Sequence, residues 1–542
     1  MATFPDYQLV VLNWAFFLPL LSALVLGSLV VYYIVPSKPA FPSINAQGIF
    51  EPTSFKAKKR FVIHAKDLIK SGLAKSDIFR LTCDTGIQLV LSQKYLDEIR
   101  NHPAFSFQDL IRSQSHFHIK GFEPFGEDGN IILDVARKRL TQAQGSITGP
   151  LWSEASVALQ EGWTDNPGRV SDQSQALEPF QGCFKKTKLT ETEWHEVALY
   201  FSIQRLVARL SCKIFLGDEM CRNEDWLRVI TDYARHSIQA SDALQLWPKI
   251  VRPIVAMCMQ STRMLKKEVQ AARSIMKPVL EKRLKNKENA LKNGMAPEIH
   301  NDATQWMEDV AAGRRYDPAL MHLGLALVAI FTTADFFTQA LLDLCGKETL
   351  ISELREEVIT VLREDGVKKT AMYKLRLMDS FLKESQRMKP IALTTFQRMA
   401  MENVKLADGS EIARGTGLMI PNDRMWDSRF YENPETFDPY RFVRLREVAG
   451  HENSFSLISL SPEHMGFGLG RHACPGRFFA VNEVKIALCH VLLKYELKLA
   501  EGTTPQVTRS GIRMQTDISA KVLVRRRQEE ISLPNLVCES DE

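Results

Sequence analysis

The residues with the clearest chemical meaning lie in the segment "FGLGRHACPGRFFA", residues 467–480, where one cysteine stands among glycines and basic side chains. A cysteine thiolate can act as a nucleophile, a redox group or a metal ligand. A nucleophile needs a base close by, and His472 or His464 would be the candidates. The glycines instead let the backbone turn tightly and approach something flat and bulky. These glycines are Gly468, Gly470 and Gly476.

The other side chains of this segment suit one kind of ligand. Phe467 offers an aromatic face beside the cysteine. Arg471, His472 and Arg477 could neutralise carboxylates. A flat apolar macrocycle with two carboxylates and an axial thiolate needs this set of groups, and haem is such a ligand. The residues therefore favour Cys474 as an axial ligand of haem iron.

The same segment resembles the haem-ligand loop of the cytochrome P450 family, which reads F-x-x-G-x-R-x-C-x-G. The matching residues are Phe467, Gly470, Cys474 and Gly476. The segment departs from the family at the arginine, where this chain has His472, with Arg471 one place earlier. The resemblance implies haem b with Cys474 as its iron ligand, and it leaves His472 and Arg471 as candidate partners of a haem propionate.

A second motif, "KESQR" (383–387), places Glu384 and Arg387 three residues apart, on one face of a predicted helix. By itself this spacing indicates an ordinary surface ion pair, which is weak. Together with Arg441 in "FDPYRF" (437–442) it resembles the buried Glu–Arg–Arg network of the same family. The resemblance implies a structural role for these three residues, ahead of the cysteine loop.

A third motif is the apolar stretch "VAIFTTADFFTQALLDL" (328–344). Alone it predicts a core helix, but beside the other motifs it resembles the family's central helix over the haem. The oxygen-binding groove of that helix reads A/G-G-x-D/E-T. The resemblance puts Thr333 at the family's threonine and Thr332 at its acid, and it implies that these hydroxyls handle protons. Because the acid is absent, a water chain or Asp335 would serve as the relay.

Arg137, in "ILDVARKRLTQA" (132–143), has two interpretations. It matches the arginine of the family's W-x-x-x-R motif, which contacts a haem propionate, although Leu133 stands at the tryptophan. It could equally be a surface charge. A further alternative is a basic face that docks an acidic electron donor, since complementary charge speeds encounter. That face would consist of Arg137, Lys138, Arg139, Arg477 and Lys485.

The amino-terminal region predicts a membrane anchor. Residues 9–35 run without a charge, long enough to cross a hydrocarbon core that needs about 20 apolar residues. The first cation is Lys38, which predicts that the rest of the chain faces the cytosol. A cleaved signal peptide would need a basic start. We therefore expect a lumenal segment 1–8, a single-pass anchor 9–35 in the endoplasmic reticulum membrane and a proline-rich hinge 36–50.

Helical periodicity dominates the rest of the chain and predicts a mainly α fold with a small β-rich part. The predicted helices cover 194–216, 223–245, 260–292, 318–345, 348–364 and 372–388, and the predicted strands fall within 79–92, 395–400 and 404–421. We expect one haem-thiolate catalytic domain, 51–525, followed by a charged tail, 526–542. Residues 162–188 show no period and indicate either a surface insertion or an unspliced intron.

Composition excludes other classes of function. The net charge of +5 is small for 542 residues and no basic run is interleaved with aromatics, so nucleic acid is not an expected partner. The nine cysteines are odd in number and contain no CxxC pair, which argues against a zinc site or a disulfide framework.

The resemblance implies a monooxygenase that takes NADPH electrons through a cytochrome P450 reductase. The sequences of its motifs are similar to those of fungal enzymes that oxidise terpenoid and indole-diterpene secondary metabolites. The resemblance therefore implies a hydrophobic terpenoid or alkaloid intermediate as the substrate. Two alternatives stay open: a haem-thiolate isomerase or peroxygenase that needs no reductase, and a non-catalytic membrane-anchored protein. The expected pocket lining is Ile330, Phe331, Ile391, Ala392, Leu393, Thr394 and the stretch 105–125.

Overall fold

The computed structural model describes residues 40–48, 51, 53–127, 129–163, 194–452 and 454–531. The predicted lumenal segment 1–8 and the predicted anchor 9–35 lie outside these residues, as does the predicted loop 162–188 apart from its first two residues. The last eleven residues of the predicted tail, 532–542, also lie outside them.

Helices make up most of the described chain. In chain order they are α1 (Phe55–Leu73), α2 (Leu96–Ile99), α3 (Phe107–Gln114), α4 (Gly129–Asp134), α5 (Gln144–Trp163), α6 (Leu199–Leu216), α7 (Asp218–Cys221), α8 (Glu224–Gln245), α9 (Arg252–Cys258), α10 (Gln260–Lys292), α11 (Ala303–Ala311), α12 (Pro318–Leu344), α13 (Glu348–Asp365), α14 (Lys369–Lys374), α15 (Arg376–Met388), α16 (Arg441–Arg446) and α17 (Arg477–Lys494). A π-helical turn, Val135–Leu140, follows α4, and a short 3-10 turn, Gly470–His472, precedes α17.

The strands are short and form small sheets. They are β1 (Ser43–Ile44), β2 (Ile78–Cys83), β3 (Gly86–Leu91), β4 (Phe105–Ser106), β5 (His195–Ala198), β6 (Phe396–Ala400), β7 (Val404–Lys405), β8 (Glu411–Ile412), β9 (Gly417–Ile420), β10 (Tyr495–Leu499), β11 (Thr508–Ser510), β12 (Arg513–Gln515) and β13 (Lys521–Arg526). The largest sheet has the order β1-β2-β3-β9-β6-β4, and the others are β10-β13-β5, β11-β12 and β7-β8.

Helix α12 runs through the middle of the helical core, packed against α6, α8, α10, α15 and α17. The Asp317 side chain caps its start by accepting the N–H groups of Ala319 and Leu320, and Pro318 occupies the first turn. Among the described residues α12 is the one helix long and apolar enough to cross a membrane, but most of it is buried inside the protein. Helix α12 is therefore a core helix, and burial accounts for its apolar composition.

Two elements present the cysteine loop. Helix α17 begins at Arg477, directly after the loop, and packs between α5 and α13 with nearly every residue from Phe479 onward buried. Strands β4 and β6 pair antiparallel, Phe105 opposite Ala400, at the edge of the largest sheet. The loop lies between α17 and this sheet edge, because His472 contacts the Phe105 carbonyl and Arg398 donates to the Leu469 carbonyl.

The mainly α fold with a small β-rich part is confirmed, and five of the six predicted helices are present apart from their ends. Residues 195–198 form a strand rather than the start of a helix, because they complete the sheet beside β13. The predicted helix 372–388 is broken at Leu375, which separates α14 from α15. In the predicted hinge, Ser43 and Ile44 pair with β2, so part of the hinge belongs to the sheet.

Candidate functional site: the cysteine loop and its surroundings

Cys474 lies between the 3-10 turn and the start of α17. Its N–H donates to the Phe467 carbonyl at 2.8 Å, and its sulfur faces the backbone N–H groups of Gly476 and Arg477. Burial raises the pKa of the Cys474 thiol, while these N–H groups and the Arg477 guanidinium act in the opposite direction. Arg477 also donates to the Cys474 carbonyl at 2.9 Å. Donors at a helix start favour an anionic sulfur, as a thiolate ligand requires.

The loop's glycines serve different needs. Gly468 and Gly470 both have φ of +72°, and a Cβ on Gly470 would lie 2.3 Å from the carbonyl oxygen of Arg100. At Gly476 the nearest atom to an added Cβ is the Cys474 sulfur, at 4.0 Å. The space beside the sulfur is therefore open on this side. This opening fits a flat ligand such as haem lying against the loop.

His472 is bonded to the edge of the largest sheet. Its Nε2 lies 3.1 Å from the Phe105 carbonyl oxygen, to which it can donate. Burial and the nearby Arg398 lower the pKa of His472 to about 4. The imidazole therefore favours its uncharged form, and its Nε2 is engaged by the Phe105 carbonyl. Arg471, the other candidate from the sequence, is exposed.

Arg398, on β6, is a candidate that sequence reasoning missed. The residue is 1% exposed, and its guanidinium donates to the carbonyls of Gln397 at 2.7 Å and Leu469 at 3.1 Å. Its Nε has no partner among the residues that the structure describes. Burial lowers the pKa of Arg398 to about 10. A buried cation of this kind needs an anion, and a haem propionate is one that fits beside the loop.

Of the basic residues that were predicted to form a docking face, some are exposed and one is buried. Arg137 lies in the π-helical turn, is exposed, and donates to the Arg471 carbonyl at 3.0 Å, so it reaches the cysteine loop. Lys138 and Arg139 are also exposed. The prediction that Lys485 belongs to a surface basic face is wrong, because it is 3% exposed and forms a 2.6 Å ion pair with Asp379.

The predicted Glu–Arg–Arg network is confirmed by the geometry. Arg387 donates to both oxygens of Glu384 at 2.8 Å, and Arg441 donates to the same carboxylate at 3.2 and 3.3 Å. The remaining guanidinium N–H groups bond backbone carbonyls, among them Met425 and Glu432. Glu384 and Arg387 are fully buried. The network therefore fastens α15 to the chain that leads through α16 towards the cysteine loop.

The two threonines of α12 face different surroundings. Thr332 is exposed and donates to the Val328 carbonyl at 2.8 Å, and Val328, one turn earlier, is 56% exposed. Thr333, which matches the threonine of the family motif, is 4% exposed. Because α12 is otherwise a core helix, the stripe through Val328 and Thr332 borders open space. Asp335, proposed as a relay, is bonded to Lys389 and to the Thr516 N–H.

Of the residues expected to line a pocket, some are buried and others are partly exposed. Ile330, Leu393 and Thr394 are at most 4% exposed and pack in the core, so they do not line a pocket. Phe331 and Ala392 are partly exposed. Within the stretch 105–125 the aromatic side chains are also divided between buried and partly exposed positions. In a segment that is apolar throughout, hydrophobic periodicity does not distinguish side chains that are buried in the core from side chains that line a pocket.

The fold and this loop define a haem-thiolate type of protein, and comparison with known proteins gives its family. The cytochrome P450 family model matches residues 180–521. Cytochrome P450 monooxygenase adrA of Penicillium rubens is 40% identical over 520 residues, 95% of this chain and 97% of that protein. Cytochrome P450 monooxygenase trt6 of Aspergillus terreus is 44% identical over 482 residues, 88% and 92% of the two chains. This chain belongs to the cytochrome P450 family and is an oxidoreductase of the monooxygenase type.

Proposed function

We propose that this protein inserts one oxygen atom from O2 into a hydrophobic small molecule, with electrons that come from NADPH through a reductase. The observation that carries the proposal is the Cys474 sulfur at the start of α17, faced by two backbone N–H groups and open on one side. Haem bound through a thiolate supplies oxygen activation, because the sulfur donates electron density that favours O–O cleavage.

Different residues around the loop are proposed to bind different parts of the haem. Cys474 is the proposed iron ligand, and Phe467, Gly470 and Gly476 shape the surface against which the macrocycle lies. We assign Arg398 to one haem propionate, because its guanidinium is buried beside Leu469 without an anion among the described residues. Arg137, bonded to the Arg471 carbonyl, is the second candidate. His472 then acts by holding Phe105 and the loop together.

Thr332 is the proposed distal hydroxyl. Its Oγ1 donates to the Val328 carbonyl, so its lone pairs stay free to accept a hydrogen bond from a water molecule in the open space. A hydroxyl held in this way can position that water, whose second proton is then directed towards the reacting oxygen. Thr333, at 4% exposed, is the less accessible of the two threonines.

The proposed substrate is a fungal secondary-metabolite intermediate of terpenoid or alkaloid type. The support is the partly exposed apolar side chains of Phe331, Ile391 and Ala392, together with the similarity to enzymes of Penicillium and Aspergillus. An apolar lining suits a substrate with few polar groups. The catalytic domain is proposed to span 51–525.

We further propose that the catalytic domain lies on the cytosolic face of the endoplasmic reticulum membrane, tethered by residues 9–35. Three neighbouring apolar residues in and before α9 are strongly exposed: Ile250 at 87%, Ile254 at 66% and Met257 at 71%. An exposed apolar patch of this kind, beside Lys249, suits the surface of a lipid bilayer. The exposed cations Arg137, Lys138 and Arg139 are the proposed docking face for the reductase.

A deletion strain combined with reconstitution tests the proposal. The precursor that accumulates in the strain is supplied to microsomes that contain the protein and a cytochrome P450 reductase. We expect product only with NADPH, O2 and reductase together, with one atom of labelled O2 in the product. Conversion with peroxide alone, or isomerisation without oxygen incorporation, would contradict the proposal and favour the reductase-independent alternative.

A further inference from the structure

Asp335 and Lys389 form an ion pair inside the protein. The two residues are 1% and 5% exposed, and Oδ2 of Asp335 accepts a hydrogen bond from the Lys389 ammonium. The other carboxylate oxygen, Oδ1, accepts the backbone N–H of Thr516 at 2.8 Å. One side chain of α12 therefore holds two distant parts of the chain, the residue that follows α15 and the residue that follows β12.

Two further residues of α12 continue this contact at four-residue spacing. Gln339 accepts the Thr516 hydroxyl at 3.1 Å and donates to Oδ1 of Asp343 at 2.9 Å. Oδ2 of Asp343 accepts the hydroxyl of Ser385 in α15 at 2.7 Å. One face of α12 is thus bonded through polar side chains to α15 and to Thr516.

The two chain segments that start at this ion pair lie side by side. Residues 391–393 and 512–514 form a short antiparallel pair, which we call the ladder. Its backbone hydrogen bonds run from Leu393 N–H to Ile512 O at 2.7 Å and from Met514 N–H to Ile391 O at 3.0 Å. Lys389 precedes one strand of the ladder by two residues and Thr516 follows the other by two. The ion pair therefore anchors the same end of both strands.

The opposite end of the ladder reaches the cysteine loop. The Thr395 hydroxyl donates to the Met465 carbonyl at 2.5 Å, and the Thr395 carbonyl oxygen lies 3.8 Å from the position of a Cβ on Gly468. Ile391 and Ala392 of the ladder are partly exposed, so they can contact a ligand. The ladder spans the distance between α12 and the loop that carries Cys474.

Stability alone does not account for this ion pair. Burying two charges costs desolvation free energy that their attraction only partly offsets, and well-packed apolar residues often serve as well. A charge-assisted hydrogen bond does fix distance and direction more narrowly than apolar packing. Asp335 is also three residues from Thr332 on the same helix, so the ion pair holds the ladder beside the exposed stripe of α12.

We propose that Asp335 and Lys389 are positioning residues that fix the ladder against α12 and so set which bulky ligands fit beside Thr332. This inference rests on the proposed haem site. It assigns Asp335 a role in ligand shape selection, in place of the proton relay that the sequence suggested. The expected consequence is that loosening the ion pair changes discrimination between small and bulky ligands while the Cys474 loop stays intact.

Azole binding tests the proposal without knowledge of the substrate. The purified haem-loaded full-length wild type is compared with Asp335→Asn, Lys389→Met and the double variant, by titration with imidazole and with 4-phenylimidazole. We expect the dissociation constant for imidazole to stay within about twofold, and the ratio of the two constants to change by about tenfold. The double variant should match the single ones, because both residues act as one unit. Lys389→Met serves alone if Asp335→Asn does not fold.

Glu154→Gln is the matched control. Glu154 is 1% exposed and pairs with Arg209, away from the ladder. This variant therefore weakens a buried ion pair but leaves the pair of Asp335 and Lys389 unchanged. Its azole ratio should equal that of the wild type. An unchanged ratio in the haem-loaded Asp335 and Lys389 variants, or an equal change in Glu154→Gln, would overturn the inference.

Hydrogen exchange gives a readout that does not depend on haem. The N–H groups of Leu393 and Met514 should exchange at least about tenfold faster in Lys389→Met than in the wild type, and not in Glu154→Gln. A wild-type protein that binds neither azole would contradict the proposed function instead. Unchanged exchange in Lys389→Met would then count against the inference by itself.

Discussion

Thr332 and Thr333 are neighbours in the chain, but Thr332 is exposed whereas Thr333 is 4% exposed. Replacement by valine keeps the shape and removes the hydroxyl. We expect Thr332→Val to consume NADPH with reductase present but to lower the product formed per NADPH by about tenfold or more, because proton delivery is lost. Thr333→Val is the matched control and should keep the wild-type ratio. The reverse pattern would show that the motif alignment, and not the exposure, identifies the distal hydroxyl.

Glu483, a buried residue of α17, should make the stability of the protein depend on pH. It is 1% exposed, and Ser211 donates to it at 2.9 Å. Burial raises the pKa of Glu483 from its ordinary 4.5 to about 8. Between these values the folded protein keeps a proton that the unfolded chain releases. This group's contribution to the free energy of unfolding is therefore fully present below about pH 4.5 and is lost as the pH rises towards about 8.

Denaturant unfolding of the wild type and Glu483→Gln over this pH range measures the effect. The wild type should lose up to about 1.4 kcal/mol per pH unit relative to the variant, which has no proton to release there. Glu288→Gln removes an exposed carboxylate from α10 and is the control. Parallel pH curves for the wild type and Glu483→Gln would show that Glu483 ionises normally in the folded protein.

How far the site could be predicted depends on the residue. The residue types and spacing of Cys474 and its glycines, together with the family motif that they resemble, predict a haem-ligand loop from the sequence alone. Arg398 has no such signal, since a single arginine in a strand is typical of a surface position. Its burial depends on the contact with Leu469, about 70 residues away in the chain. The face of α12 that borders open space is likewise set by packing, because a helix that is apolar all round has no polar stripe to mark it.

At the scale of elements, the turn before α17 depends on Gly470. An alanine there would have to adopt φ of +72°, and its Cβ would lie 2.3 Å from the Arg100 carbonyl oxygen. We expect Gly470→Ala to displace the loop and reduce bound haem per protein by at least about half, since strain of this kind costs on the order of 1–3 kcal/mol. Gly129→Ala, where an added Cβ meets nothing within 4 Å, is the control. Full haem content in Gly470→Ala would contradict the loop geometry.

Element boundaries were predictable where the pattern is local. Helices α8, α10 and α12 follow their apolar periodicity to within about one residue of the predicted ends. Strand β5 was not predictable, because residues 195–198 acquire their conformation by pairing with β13, more than 300 residues later. The Glu384 network was predictable only through its family resemblance, since the i,i+3 spacing by itself indicates a surface pair.

At the scale of the whole molecule, the exposed cations near the cysteine loop should govern electron delivery. Lys138→Glu/Arg139→Glu should raise the KM for the reductase by about tenfold at low ionic strength, with a smaller effect at high salt, because charge complementarity is lost and salt screens what remains. Lys285→Glu/Lys292→Glu, on the exposed face of α10, introduces the same charge change elsewhere. Equal KM values for the two double variants would show that the proposed docking face is not used.

The broad class of the molecule was readable from the chain, because three motifs far apart in sequence resemble one family and the helical pattern agrees with it. The packing that joins those motifs was not readable. The six-stranded sheet combines residues from 43 to 420, and such long-range pairing leaves little trace in local periodicity.

The central claim is that Cys474 binds haem iron as a thiolate, and the reduced carbon monoxide complex tests it most directly. The wild type should show the far-red-shifted Soret band of a thiolate-ligated haem. Cys474→His should lose this band while keeping the fold, as measured by circular dichroism. A wild-type protein that purifies without haem under haem-replete conditions, or a Cys474→His variant that keeps the shifted band, would contradict the account.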